Sequence, residues 1–258
     1  MNLRFDLAYD GAPFHGWARQ VDIRTVQGDL EEALKTLWRR DVATVGAGRT
    51  DAGVHALGQV MSSSDAPDDC RPDEVKDALN RMCGPSIVVH SCTAAPADFH
   101  ARFSARSRTY IYAVLEGPNA DPWLAGTAYY RRAPLDVDAM NEAAGHLVGP
   151  NDFTSFGRLP EPSASAERVL YELRCAREGS LIRVRARANA FIHQMVRSLV
   201  GTLISVGEGR SKPDEMLEVL EARDRAAAGP VAPPHGLCLV SVEYDDGWSR
   251  PPDPRAAV

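Results

Sequence analysis

The chain has 258 residues, of which 44% are hydrophobic and 25% charged, and its formal net charge is -6. These values are typical of a soluble globular protein with one large or two medium domains, and the acidic balance does not favour nucleic acid as a partner. Five widely spaced cysteines without a Cys-x-x-Cys pair exclude a disulfide framework or zinc site. With no recognisable signal peptide or membrane helix, they predict a cytoplasmic protein.

The first hundred residues read as strand, helix, strand, strand, helix, strand. "LRFDLAYD" alternates apolar and polar residues, and "TVQGDLEEALKTLWRR" follows as an amphipathic helix that Thr25 can cap. The buried face of this helix is predicted to carry Val26, Leu30, Leu34, Leu37 and Trp38. "VATVGAGR" and "ALGQVMSS" predict strands, "RPDEVKDALNRMC" a helix and "SIVVHSCTAA" a strand. This order is that of a split βαβ, ferredoxin-like unit.

The rest of the chain also consists of predicted strands and helices. "RTYIYAVLEG" and "GTAYYRRA" predict strands, "DVDAMNEAAGHLVG" a helix, and "RVLYELRCARE" with "LIRVRARANA" a hairpin. "FIHQMVRSLVGTLISVGEG" and "KPDEMLEVLEARD" predict helices, and "LCLVSVEYDD" a last strand. We therefore expect an α+β fold with an N-terminal half at 1–105, a C-terminal half at 106–247 and a flexible tail at 248–258.

Basic residues concentrate in two segments although the chain is acidic overall. "ARFSARSR" carries Arg102, Arg106 and Arg108. "LIRVRARANA" carries Arg183, Arg185 and Arg187 at alternate positions, so that these three share one face of a strand. Two interpretations stand, a solvated sheet face or a basic concave surface for the phosphates of RNA.

The segment "GAGRTDAG" is not a nucleotide-binding loop. A dinucleotide fingerprint needs a third glycine where Asp51 stands and a helix afterwards, and no Gly-Lys-Ser/Thr follows as in a Walker loop. Asp51 is then either a turn residue whose carboxylate accepts backbone N–H groups, or a catalytic nucleophile or base at the end of a strand. The histidines at 15, 55 and 193 lack metal-ligand spacing, so we expect them to form hydrogen bonds and predict no metal site.

"GAGRTDAGVHALGQV" resembles the signature of the TruA family of tRNA pseudouridine synthases. Six further segments resemble the family's other blocks, in family order: "YDGAPFHGW", "TVQGDLEEAL", "DFHARFSARSRTYIY", "DFTSFG", "ANAFIHQMVRSLVGTL" and "APPHGLCLVSVEY". The resemblance spans about residues 3 to 245. It implies two ferredoxin-like or RRM-like halves that form a mixed, mostly antiparallel central sheet, with helices on one side and an RNA-binding cleft. Ala18 and Ala166 depart from the family pattern and put local RNA contacts in doubt.

The resemblance also implies an activity. The family isomerises uridine to pseudouridine at positions 38, 39 and 40 of the tRNA anticodon stem-loop, without a cofactor, as a cytoplasmic homodimer. Three alternatives remain open from the residues: a catalytically silent RNA-binding protein, a pseudouridine synthase with another RNA target, and an unrelated nucleotide-binding enzyme. The missing phosphate loop disfavours the last.

Five site residues follow from the resemblance. Asp51 is the catalytic residue, and whether it attacks the sugar, attacks the ring or removes a proton stays open. Arg49 replaces the flipped nucleotide or holds its phosphate, Tyr110 stacks on the uracil, Arg197 pairs with the catalytic aspartate, and Leu237 lines the uracil pocket. The glycines around Asp51 would let the RNA backbone approach closely.

Overall fold

The computed structural model describes residues 1–159, 161 and 164–245, so the predicted tail at 248–258 lies outside the described residues. The chain forms two compact units. Among the described residues, the first unit comprises Met1–Arg108 together with 238–245, and the second lies within Thr109–Leu237. Both contain strands and helices in alternation, which confirms the predicted α+β class.

Five α-helices and ten β-strands lie in the described part of the chain. The helices are α1 Val26–Trp38, α2 Pro72–Cys83, α3 Val137–Gly145, α4 Met195–Gly207 and α5 Glu215–Ala222. The strands are β1 Leu3–Tyr9, β2 Val45–Gly46, β3 His55–Ser63, β4 Ile87–Ala94, β5 Ala105–Glu116, β6 Tyr129–Arg131, β7 Gly149–Asp152, β8 Glu167–Glu178, β9 Leu181–Ala188 and β10 Leu237–Tyr244. None of the described helices is long and apolar enough to cross a bilayer.

The first unit has the strand order β4-β1-β3-β10, with β2 beside β3. The central strand β1 runs antiparallel to both neighbours, whereas β10 runs parallel to β3. Because β1 is covered on both faces, even its polar positions are buried, and Arg4 donates to Asp6 at 2.6 Å. Thr25 caps α1 as predicted by accepting from the Gly28 N–H at 3.2 Å. Leu37, predicted to be buried, is 39% exposed.

The second unit has the strand order β5-β9-β8-β7, with β6 parallel to β5. Strands β8 and β9 form the predicted antiparallel hairpin, whose turn uses Gly179 at φ +59°. With the antiparallel pair β7–β8, most of the described strand pairs in the chain are antiparallel, which confirms the predicted mixed, mostly antiparallel arrangement. Helix α4 is buried over most of its length.

Two predicted elements are shorter in the structure, and both differences affect the site. The strand predicted over "VATVGAGR" is reduced to β2, because the chain leaves the strand after Gly46. Helix α4 begins at Met195 and not at the predicted Phe191, because Gln194 adopts a left-handed conformation at φ +65°. His193 therefore precedes the helix and does not share a helical face with Arg197.

Candidate active site

The segment 47–54 that carries Asp51 is a loop fixed by main-chain hydrogen bonds. The Trp17 N–H donates to the Thr50 carbonyl at 3.0 Å. The Val54 N–H donates to the carbonyl of Asp51 itself at 3.1 Å, which closes a tight turn. The residues on both sides of Asp51 are thus held within the first unit.

A buried polar network lies beneath this loop. The fully buried Gln59 donates from Nε2 to the Gly48 carbonyl at 2.7 Å, and its Oε1 accepts from the Gly48 N–H at 3.3 Å. The Tyr9 hydroxyl bonds to the Thr50 hydroxyl at 2.8 Å and accepts from Gln59 at 3.4 Å. Both neighbours of Arg49 are therefore anchored by side chains that water does not reach.

The side chains of this anchored loop differ in their exposure to solvent. Thr50 is buried, Asp51 is half-buried and Arg49 is exposed. The two charged residues lie in a loop and not on one continuous strand, so a strand's alternation does not make them share a face. The loop offers a cation at the surface and a partly shielded carboxylate two residues later.

Two glycines leave space that neighbouring atoms of the protein occupy. A Cβ on Gly46 would lie 2.5 Å from the Trp17 ring, and one on Gly16 would lie 2.8 Å from the Thr50 carbonyl oxygen. Gly16 also has φ +97°, a conformation that side chains rarely adopt. At Gly46 the absence of a side chain leaves room for the Trp17 indole, and the expectation that the motif glycines let RNA approach stays a prediction.

His55 forms hydrogen bonds as expected. Its Nδ1 accepts from the Gly11 N–H at 3.1 Å and also lies 3.1 Å from Asp10. Among the described residues, no group of three or more His, Cys, Asp or Glu side chains is arranged to hold a metal ion.

The arginines of "ARFSARSR" do not form one basic surface. Arg108 is 7% exposed, and its guanidinium donates to the carbonyls of Ala47 at 3.0 Å and Ala105 at 3.2 Å. It thereby fastens the start of the Asp51 loop from below. Arg106 is exposed but bonds to Asp245 at 2.7 Å. For the buried Arg108, the structure fits neither of the two open interpretations, a solvated face or a phosphate-binding surface.

The arginines of β9 share one face as predicted, but that face also carries acids. Arg183 pairs with Glu178, and Arg185 pairs with Glu172 at 3.1 Å. The guanidinium of Arg187 lies over the Tyr171 ring at 5.0 Å. The acidic partners come from the neighbouring β8, so the structure favours the interpretation of a solvated, ion-paired sheet face.

In the second unit, Tyr110 lies on β5 and is 7% exposed. Its ring contacts Phe191 edge to face, with centroids 5.2 Å apart and an interplanar angle of 90°. Edge-to-face pairing is a favourable aromatic geometry, so this contact helps to hold the orientation of the Tyr110 ring.

Arg197 lies in the first turn of α4 and holds the segment that leads to Leu237. Its Nε donates to the Ala232 carbonyl at 2.7 Å, and its own carbonyl accepts from the Ala232 N–H at 3.1 Å. Tyr112 donates its hydroxyl to the Pro233 carbonyl at 2.8 Å, and burial raises the pKa of that phenol. Leu237, 5% exposed, follows directly. Arg197 is thus a structural clamp, in addition to any role toward a substrate.

Sequence reasoning did not identify Gln59 and Tyr112 as supporting residues. Gln59 interrupts the apolar run of a buried strand, and a polar residue at such a position usually has buried partners. That signal was present in "HALGQVMSS". Tyr112 has no such signal, because its partner Pro233 lies 121 residues away in the chain.

Comparisons with known proteins give one consistent result. The family model described as tRNA pseudouridine synthase matches residues 7–104 and 143–245, which leaves Tyr110 between the two matched segments. The tRNA pseudouridine synthase A of Burkholderia mallei (strain SAVP1) is 42% identical over 252 residues, 98% of this chain and 93% of that protein. The enzyme of the same name from Agrobacterium fabrum is 43% identical over 246 residues, 94% and 92% of the two chains.

A solved structure gives a weaker likeness. A chain of the Cbf5-Nop10-Gar1 complex matches with a TM-score of 0.36 and 11% identity, over 94% of this chain and 60% of that chain. A likeness at this level does not bear on the fold or the function.

Proposed function

Because this chain belongs to the tRNA pseudouridine synthase family, we propose that its targets are the uridines at positions 38, 39 and 40 of the anticodon stem-loop. Membership of the family makes the chain an isomerase that converts uridine to pseudouridine in tRNA. The choice of the anticodon stem-loop comes from the resemblance of seven sequence blocks, in family order.

One observation carries the proposal. The loop "GAGRTDAG" presents an exposed Arg49 and a half-buried Asp51, and Gln59 and Tyr9 hold the residues on either side of Arg49. A base inside a stem must leave the stack before an enzyme can reach it, and a preorganised cation beside a carboxylate suits that step.

The reaction needs no change of oxidation state. The bond from N1 of uracil to C1′ of the ribose breaks, the base rotates, and a bond from C5 to C1′ forms. C5 then loses its proton and N1 gains one, so the product has the same atoms as the substrate. A carboxylate can serve either as the nucleophile or as the base that takes the C5 proton.

We assign the catalytic role to Asp51 and keep its three chemical options open. Arg49 holds the phosphate or fills the place of the extruded nucleotide, which fits its exposure. Tyr110 stacks on the uracil, and the contact with Phe191 supports that role because it helps to hold the orientation of the ring. Leu237 lines the uracil pocket, and the pairing of Arg197 with the catalytic aspartate stays a prediction from the resemblance.

We also propose a division into two halves, a homodimer and a cellular location. Residues 1–105 act as the half with the catalytic aspartate and 106–247 as the half that completes the site. The enzyme acts as a homodimer, and it resides in the cytoplasm. The five free cysteines support that location, because a reducing compartment preserves thiols.

Mapping the product tests the proposal directly. Unmodified tRNA is incubated with the enzyme, and pseudouridine is located by carbodiimide labelling and primer extension. Stops at positions 38 to 40 are expected. Product elsewhere in the tRNA would leave the isomerase activity intact and overturn the positional proposal. A tRNA whose uridines at 38 to 40 are replaced by cytidine is the matched control and should give no stops in the anticodon arm.

A further inference from the structure

The segment 98–104 presents a phenylalanine to solvent in an unusual setting. Phe103 is 77% exposed, and its ring stacks on that of His100 at a centroid distance of 4.4 Å and an angle of 26°. The guanidinium of the exposed Arg102 lies over the Phe103 ring, 5.6 Å from its centroid. These three side chains are called here the aromatic platform, and no role assigned above uses the rings of His100 and Phe103.

The platform is held rigid by its own backbone. His100 Nδ1 accepts from the N–H groups of Arg102 at 3.3 Å and Phe103 at 3.2 Å. Ser104 closes the turn from both sides, since its N–H donates to the His100 carbonyl at 2.9 Å and its Oγ accepts from the His100 N–H at 3.1 Å. These hydrogen bonds hold the backbone that carries the exposed Phe103 in one conformation.

Buried groups of the first unit fasten the platform from below. The Ala101 N–H donates to Ser62 Oγ at 3.1 Å, and the Ala101 carbonyl accepts from the Tyr244 hydroxyl at 2.7 Å. Arg108, which also holds Ala47, donates to the Arg102 carbonyl at 2.5 Å. The same buried guanidinium therefore supports both the platform and the start of the Asp51 loop.

We propose that the aromatic platform stacks an unpaired nucleobase of the bound tRNA. Phe103 is 77% exposed and lies between a second ring and a planar guanidinium, so the group offers stacking surfaces to any base, and Arg102 also offers a charge to the adjoining phosphate. A protein partner is less well matched, because a lone ring with a neighbouring guanidinium lacks the contiguous apolar surface of a stable interface. The inference rests on the tRNA activity of the chain and is independent of which uridines are modified.

Three substitutions at one position separate the π-face from mere bulk. Phe103→Ala and Phe103→Leu are expected to raise the Kd for unmodified tRNA about 5- to 100-fold, while Phe103→Tyr stays within about twofold of wild type. KM should rise accordingly, with kcat at saturating tRNA unchanged. Trp123→Ala, which removes an aromatic side chain that is 92% exposed in the second unit, is the matched control and should bind like wild type. Thermal melting confirms that each variant is folded.

Several outcomes would overturn the proposal. Unchanged tRNA affinity of Phe103→Ala would do so, as would full affinity of Phe103→Leu, which has no π-face. If Phe103→Ala alters the number of subunits in sedimentation velocity but leaves tRNA affinity per subunit intact, the ring packs on a second copy and not on RNA. Ultraviolet cross-linking of tRNA to the peptide that contains Phe103 is the positive result expected of wild type. These readouts report binding, so they remain informative even if the product maps outside the anticodon arm.

Discussion

Gln59 holds Gly48 with both ends of its side-chain amide, donating to the carbonyl at 2.7 Å and accepting from the N–H at 3.3 Å. The glutamine is fully buried on β3, and Gly48 directly precedes Arg49. A residue of the sheet core therefore sets where the charged loop begins, and the geometry of the loop depends on a side chain that touches no RNA.

Replacing this glutamine tests that dependence. Gln59→Met keeps the length of the side chain and removes its hydrogen bonds to Gly48 and Tyr9, so we expect a loss of about 1–3 kcal/mol in the free energy of unfolding. Turnover under conditions where the variant is folded should fall about 10- to 100-fold, because a small displacement of a catalytic group is costly. Urea denaturation and single-turnover kinetics measure the two effects. Gln20→Met, at an exposed glutamine, is the control, and normal turnover of Gln59→Met would show that the anchor serves stability alone.

The role of the catalytic carboxylate is tested by an isosteric change. Asp51→Asn keeps the shape of the loop residue and removes its charge, so turnover should fall about 10²- to 10⁴-fold while tRNA affinity is retained. Asp69→Asn, at an exposed aspartate of the same unit, should behave like wild type. Pseudouridine formation and tRNA binding are measured on the same samples. Surviving turnover with intact binding would remove Asp51 from the chemistry.

Tyr110 allows the ring to be separated from the hydroxyl. Tyr110→Phe keeps the face that would stack on uracil and the contact with Phe191, so it should retain much of the affinity for the target uridine. Tyr110→Ala should lose about 1–3 kcal/mol of binding and also some stability, because the ring is buried. Tyr171→Ala, at a tyrosine that is 43% exposed, controls for the loss of a ring. Equal losses in the Phe and Ala variants would point to the hydroxyl.

Local signals predicted most of the fold. Thr25 caps α1 through a bond three residues away, and Gly179 turns the β8–β9 hairpin, so a short stretch of sequence contains the whole physical reason in each case. The loop around Asp51 could also be placed, although its exact path could not. That path depends on Trp17 and Gln59, whose contacts with the loop come from the fold.

The pairing of charges could be read from the sequence only in part. Glu178 lies five residues before Arg183 across the hairpin turn, whereas strand pairing brings Glu172, 13 residues away in the chain, beside Arg185. Arg108 lies in an arginine-rich segment, which favours an exposed side chain, but its hydrogen-bond partner Ala47 lies 61 residues away in the chain. Which charges are paired or buried is decided by register and packing, and a charge pattern read along the chain cannot supply either.

Buried thiols predict how stability depends on pH. Burial raises the pKa of Cys83 to about 11 and the pKa values of Cys92 and Cys175 to about 12. A thiol whose pKa is raised by folding contributes its full stability below the unfolded pKa of about 8.5, and the contribution is lost as the pH rises above it. The free energy of unfolding should therefore fall above pH 9, by about 1.4 kcal/mol per thiol for each pH unit. Urea titrations at pH 8, 9 and 10 measure the slope, and Cys175→Ala should reduce it; an unchanged slope would contradict the assignment.

Arg49 and Arg108 predict opposite effects of the same substitution. Arg49 is exposed, so Arg49→Gln should leave the melting temperature unchanged, weaken tRNA binding and lower the slope of log K against log salt by about one. Arg108 is buried against the main-chain carbonyls of Ala47, Ala105 and Arg102, so Arg108→Gln should lower stability by about 3 kcal/mol, because buried acceptors lose a charged donor. Its salt slope should stay that of wild type once the protein is folded, because a guanidinium enclosed by carbonyls releases no counterion from RNA. Affinity measured between 50 and 200 mM salt, a range of about 0.6 log units over which phosphate contacts are resolved, distinguishes the two. A reduced slope for Arg108→Gln would mean that this arginine reaches the phosphates after all.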